Sequence, residues 1–125
     1  MALVLDAGAL IAVERQSPGV LGRLRVAAKQ SVSVRTSSAV VAQVWRDGAR
    51  QARVSWMLRG MHEVPLDPTR SRSIGALLGR NGSLDVVDAA IVELLHDGDE
   101  ILTSDPIDIA KLASTAGYRV RVVPV

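Results

Sequence analysis

The sequence predicts an α/β fold with a mostly parallel sheet covered by helices on both faces. Short apolar runs of strand length, such as ALVL at 2–5, EILT at 100–103 and VRVV at 120–123, alternate with longer helical patterns. The helical stretches open on Ser-Pro or Asp-Pro steps, or on clusters of Ser and Thr, which are start signals. Strands separated by helices require right-handed crossovers, and those bury both faces of a parallel sheet. No repeat, linker or low-complexity tract divides the 125 residues, so one domain over 1–125 is expected.

Taken in order, Leu3–Leu5 reads as a buried strand, followed by a short helix from about Ala9 to Arg15. Ser17–Pro18 starts a second helix, Gly19 to Ala28, with Ser17 as its cap. Ser31–Arg35 reads as a strand, after which Thr36 to Ser38 cap a helix through Ala39–Arg46 that continues to Arg59 with a possible break at Gly48. Glu63–Pro65 is a short strand, and Asp67–Pro68 opens a helix through Leu78. Ser83 caps a helix from Asp85 to His96, ahead of the strand Glu100–Thr103. Asp105–Pro106 opens the last helix, which ends near Gly117, and Val120–Val123 is the final strand. Ligands in such folds gather beyond the C-terminal ends of the strands, where Asp6 and Asp105 both fall.

Composition narrows the chemistry. There is no cysteine, which excludes disulfides, thiolate metal sites and a cysteine nucleophile, and fits a reducing cytoplasm. Only Trp45, Trp56 and Tyr118 are aromatic, which argues against base-stacking platforms. The apolar opening is interrupted by Asp6 with no basic residue before it, so it makes a poor signal peptide, and no segment reaches the ~18 apolar residues of a membrane span. Charge is unevenly spread. Residues 1–80 carry twelve Lys and Arg against five Asp and Glu, residues 81–110 none against eight, and residues 111–125 three against none. Gathered carboxylates suit a hard divalent cation, and a basic body around them suits an anionic substrate, with nucleic acid the first to consider.

Each carboxylate also has a structural explanation. Asp105 before Pro106 is a good helix cap, Asp85 complements the dipole at a helix start, Asp67 is a cap, and Asp97, Asp99 and Glu100 read as a solvated turn around Gly98. Asp88 is harder to explain, because its helix LDVVDAAIVELL is apolar on nearly every face and no Lys or Arg lies nearby in sequence. A carboxylate in such a helix costs several kcal/mol, to order of magnitude, unless paired or bound to metal. Asp6 raises the same difficulty at the end of a buried strand.

Three blocks in this order, LVLDAGALIA, DVVDAAIVELL and ILTSDPIDIAKL, resemble the PIN-domain ribonucleases, and within them the VapC-type toxins of bacterial toxin–antitoxin pairs. The resemblance spans the whole chain. It implies a three-layer α/β/α domain whose carboxylates hold Mg2+ or Mn2+, an RNA substrate, a VapB-type antitoxin and a homodimer. By position Asp6, Asp88 and Asp105 match the family's catalytic and metal-binding carboxylates, with Asp108 and Asp85 in support. Thr103 and Ser104 stand beside Asp105, where their hydroxyls can orient a water or phosphate or simply end the strand. The cation would polarise a phosphodiester oxygen and activate a water for in-line attack.

The chain departs from the family at Gln43, in SSAVVAQVWRDG, where a Glu is usual. Gln offers a carbonyl but no charge and no base, and Glu14 or Asp47 are the nearby candidates to supply what is missing. Arg46, Arg50 and Arg53 at i, i+4, i+7 form one helical stripe beside an apolar stripe of Trp45, Ala49, Ala52 and Trp56. These are either a solvated face beside a core face, or a surface for RNA or a partner. His62 and His96 lack metal-ligand spacing. A haloacid-dehalogenase-type phosphatase needs a second Asp where Gly8 stands, and DAGAL supplies no glycine-rich nucleotide turn. The remaining rival is a PIN-like module that binds RNA or an antitoxin and has lost turnover with the Glu.

Overall fold

The ALVL run forms β1 (Ala2–Leu5), and all four of its residues are buried. A strand with both faces covered reads as continuous apolar sequence, not as alternation. A computed structural model describes residues 1–125. After β1 come α1 (Ala7–Glu14), α2 (Pro18–Lys29), β2 (Ser33–Ser37), α3 (Ser38–Val44), a single 3-10 turn (Gly48–Arg50), α4 (Ala52–Leu58) and β3 (His62–Val64). The second half holds α5 (Pro68–Asn81), α6 (Val86–Glu93), β4 (Glu100–Thr103), α7 (Pro106–Ala116) and β5 (Arg121–Pro124). The five strands are all parallel, in the order β3-β2-β1-β4-β5. The edges are blunted: β3 is three residues long, and β5 carries an exposed Arg121 and ends at Pro124, a residue sheets tolerate at an edge.

The predicted α/β class and three layers are therefore present. Right-handed crossovers set the helices preceding β3 on one face and α5, α6 and α7 on the other. Contacts agree, since α1 packs on α2, α3 and α4, while α5, α6 and α7 pack on one another. α3 begins where β2 ends and touches both α1 and α6. One apolar cluster fills the space between the layers, with Leu5, Leu10, Ile91, Ile101, Leu102 and Ile109 at its centre. No helix is long and apolar enough to cross a membrane.

Several local expectations need correction. Ser17 makes no side-chain cap to α2, which relies on Pro18 in its first turn. The cap of α6 is Asp85, whose Oδ1 accepts from the Asp88 N–H at 3.0 Å, while the Ser83 hydroxyl lies one step earlier and accepts from the Asp85 N–H. The helix expected to run from Ala39 to Arg59 is broken after Val44. There the Gln51 carboxamide stitches the gap, its Oε1 accepting from the Arg46 and Asp47 N–H groups at 2.7 and 3.0 Å and its Nε2 donating to the Val44 carbonyl at 2.8 Å. Arg46, Arg50 and Arg53 consequently do not share one helical stripe, and Trp45 and Trp56 sit on separate segments.

Asp99 is the largest correction. In place of a solvated turn residue it is 2% exposed, its Oδ1 accepting from the Ala2 N–H at 2.7 Å and its Oδ2 from the His96 N–H at 2.8 Å. It ties the start of β1 to the turn before β4, across 97 positions. Glu100 is also held, paired with Arg23 at 2.6 Å and Arg121 at 3.6 Å. Asp99→Ala should leave the buried Ala2 N–H and the part-buried His96 N–H unmatched and cost about 2–4 kcal/mol. Urea unfolding should show this as a lower midpoint with an unchanged slope, and a loss under about 0.5 kcal/mol, as at an ordinary surface site, would contradict it.

Candidate functional site

Strand order reverses between β1 and β4: the chain builds outward from β1 through β2 to β3, then crosses over to β4 and β5. A crevice opens beyond the C-terminal ends of strands at such a point. Asp6 follows the last residue of β1 directly, and Ser104 and Asp105 follow the last residue of β4. Thr36 holds this end of the sheet together, its hydroxyl donating to the Leu5 carbonyl at 2.8 Å.

Asp6 is 5% exposed and does two structural jobs. Its Oδ1 accepts from the Ala9 N–H at 3.0 Å, capping α1, and its Oδ2 accepts from the Ser104 N–H at 3.2 Å. Burial raises its carboxyl above the ordinary range; bonds from Thr103, Ala9 and Ser104 act against that rise, and the negative charge of Asp105 adds to it. Thr103 is wholly buried, and its Oγ1 also accepts from the Asp105 N–H at 2.9 Å. The capping explanation for Asp105 does not hold, since its side chain makes no cap bond to α7 and stands exposed. Asp108, in the first turn of α7, is exposed as well.

Asp88 lies in the first turn of α6 and is half-buried, less enclosed than an all-apolar helix suggested. Its carboxyl is pushed up to about 7, first by burial and then by the negative charges of Asp85, Asp105, Asp6 and Asp108, in that order. The other four carboxylates singled out in the sequence thus all act on Asp88. No Lys, Arg or His is paired with any of them.

This donor set fits a hard cation in chemistry, being all oxygen, anionic and without a compensating positive group. Its geometry is looser, because no three acidic or histidine side chains stand in ready-made ligand positions. Asp6 is fixed by its two backbone bonds, whereas the Asp105 side chain is exposed and makes no cap bond. Gln43 is exposed near the end of α3, the helix that packs on α6. Neither candidate for the missing charge reaches the cluster. Glu14 lies at the far end of α1 and its Oε2 accepts from the Val54 N–H at 2.9 Å, while Asp47 caps the 3-10 turn and sits 3.8 Å from Arg50.

The arginines are engaged locally. Arg46 donates to the Ala42 and Trp45 carbonyls, Arg50 faces Asp47, and Arg53 donates to the Glu14 carbonyl at 3.3 Å. Arg53 also rims a separate apolar groove of about 1210 Å3 between α2, α4 and the starts of β2 and β3. Trp56, Met57, Leu21 and Leu24 line it, Arg25 and Arg59 share its rim, and no acidic residue borders it. Trp56 is 75% exposed, so it is not the core residue that an apolar stripe suggested.

Neither a family model nor a curated protein sequence matches the chain. Solved structures do. A chain of VapBC2 from Rickettsia felis, in a crystal structure bound to a DNA fragment from the promoter, aligns with a TM-score of 0.72 at 12% identity, over 98% of this chain and 99% of that one. A chain of FitAB bound to an IR36 DNA fragment aligns with a TM-score of 0.58 at 15% identity, over 96% and 94%. The likeness is one of fold. It runs over nearly the whole chain.

Without a cation, the charge cluster should make stability depend on pH. A carboxyl raised in the folded state holds its proton between pH ~4 and ~7 while the unfolded chain has lost it. Its contribution is therefore full below the unfolded pKa and lost as pH rises through 7. In EDTA the melting temperature should fall between pH 5 and 8, and Asp88→Asn should flatten most of that slope. Because Asp88 is half-exposed and solvent screens the repulsion, the gain for Asp88→Asn at pH 8 should be roughly 4 °C, what about 1 kcal/mol is worth at this length. Asp6 leaves a residual slope. Parallel curves for the two proteins would contradict the account.

Proposed function

We propose that this chain is the PIN-like partner of an antitoxin in a toxin–antitoxin pair, with a carboxylate pocket that takes Mg2+ or Mn2+ and engages RNA. The observation that supports the proposal is that Asp6 follows β1 and Asp105 follows β4, with the Ser104 N–H bonded to Asp6, while Asp85, Asp105, Asp6 and Asp108 all act on Asp88 and no cationic side chain is paired with any of the five. A bound cation there would supply charge neutralisation and a Lewis acid for a phosphodiester oxygen. Asp6, Asp88 and Asp105 would hold it. Asp85 and Asp108 would add negative charge at the rim, and Thr103 would keep the Asp6 carboxylate aimed into the crevice.

Two strengths of this function are distinguishable, a full ribonuclease and a weakened module that binds without efficient cutting. The weakened form has the better support. Gln43 stands where the resembling family carries a Glu, and Glu14 and Asp47 are bound elsewhere. No three side chains are set in advance for ligation, so binding must first draw negative groups together. Partner binding is supported by the fold shared with chains of VapBC2 and FitAB and by the Trp56 groove, whose basic rim suits an amphipathic, acid-bearing segment.

Calorimetry with Mn2+ and end-mapping of mixed cellular RNA test this together. Wild type should bind Mn2+ and Asp88→Ala should not, while cleavage by wild type should be weak and rise at least about tenfold in Gln43→Glu, what roughly 1.4 kcal/mol of added transition-state stabilisation gives. Efficient cleavage by wild type that Gln43→Glu leaves unchanged would restore the full ribonuclease. Absence of Mn2+ binding at neutral pH would overturn the cation pocket itself.

A further inference from the structure

Gly8 sits in the first turn of α1, two residues after Asp6, where a glycine is hard to explain locally. It is not among the residues with positive φ, so its backbone makes no demand that only glycine meets. Within a helix, glycine also forfeits more conformational freedom than alanine would. The explanation lies across the crevice. A Cβ built on Gly8 would stand 2.5 Å from the Ser104 Cβ and 3.3 Å from the Ser104 N, and would clash with the Ser104 Oγ. Rotating the Ser104 hydroxyl would clear the Oγ, but a Cβ position is set by the backbone and no rotamer relieves it. The turn after β4 has closed over the first turn of α1 into the space that a side chain at position 8 would fill.

We infer that Gly8 is a positioning residue for the carboxylate pocket: its missing side chain lets Ser104 approach α1 closely enough to bond Asp6 and to hold Asp105 beside it. The Ser104 N–H reaches Asp6 Oδ2 at 3.2 Å, near the long limit for such a bond, so a shift of the turn by even half an ångström breaks it. Asp105 is the next residue; its backbone is bonded to Thr103 and Ile109, but its carboxylate makes no cap bond to α7, so the course of the turn places it. Asp6 and Asp105 come from β1 and β4, and the packing of Gly8 against Ser104 fixes their separation at the mouth. This inference rests on the cation-pocket reading for its functional sense, and on the packing alone for its structural sense.

The clash predicts that two size changes compensate each other. Gly8→Ala should lower the melting temperature and weaken Mn2+ binding by at least tenfold in calorimetry. Ser104→Gly removes both the Cβ and the Oγ that the new methyl would meet, so Gly8→Ala combined with Ser104→Gly should bind Mn2+ within about threefold of Ser104→Gly alone. Gly75→Ala is the control, since a Cβ there, in α5, meets nothing within 4 Å, and it should leave both quantities unchanged or raise the melting temperature. If Gly8→Ala binds Mn2+ as wild type does, or the double variant is as weak as Gly8→Ala, the positioning role is overturned. If wild type binds no Mn2+, the cation reading fails, and the melting temperatures of the same four proteins decide the packing claim separately. Non-additive recovery in the double variant supports it, and simple additivity rejects it.

Discussion

The structure depends on how the Asp6 carboxylate is held. One side chain ends β1, caps α1 through the Ala9 N–H and receives the Ser104 N–H from the turn after β4. Three pieces of chain converge on two oxygens at the one point where the sheet changes its direction of growth. Because the group is buried, it must be fully bonded to be tolerated. Those bonds fix where Asp105 and the start of α7 stand. The position of the crevice is thus a consequence of satisfying a single buried acid.

The same arrangement stores electrostatic tension. Burial and four neighbouring carboxylates raise Asp88 to about 7, and no basic side chain offsets them although the chain as a whole carries a net charge of +2. Folding stability alone would favour an apolar residue or a lysine there. Sites that cost stability in this way are where function is to be sought, because a ligand that removes the cost binds with the energy released. A divalent cation removes it most directly. On the proposed reading, the basic residues of the chain would then act at longer range, drawing a polyanion toward a mouth that is negative until loaded.

Much of the fold was legible in the sequence because its signals are local. The strand Glu100–Thr103 was bounded correctly, and ALVL announced a central strand by being apolar on both faces. Asp67–Pro68 and Asp105–Pro106 marked helix starts, as the fixed φ of proline requires. The ends of the elements that carry the five carboxylates were also legible: Asp6 follows β1, Asp85 and Asp88 open α6, and Asp105 and Asp108 open α7. What the sequence hid depends on partners far away along the chain. Asp99 looked like a turn residue because its acceptor role joins it to Ala2, 97 positions away. Gly8 looked like an argument against a phosphatase, and its fit against Ser104 has no local trace. The break after Val44 was obscured because a glutamine, not a proline, does the stitching.

The central claim is that burial, and after it the neighbouring carboxylates, hold Asp88 out of its ordinary ionisation, and that a cation would neutralise the cluster. Selective 13C labelling of aspartate and an NMR titration of the Asp88 carboxyl, with and without Mg2+, test it most directly. The account predicts an apparent pKa near 7 in the absence of metal and a fall toward the ordinary carboxylate range at saturating Mg2+. An ordinary value without metal, unchanged when Mg2+ is added, would contradict it.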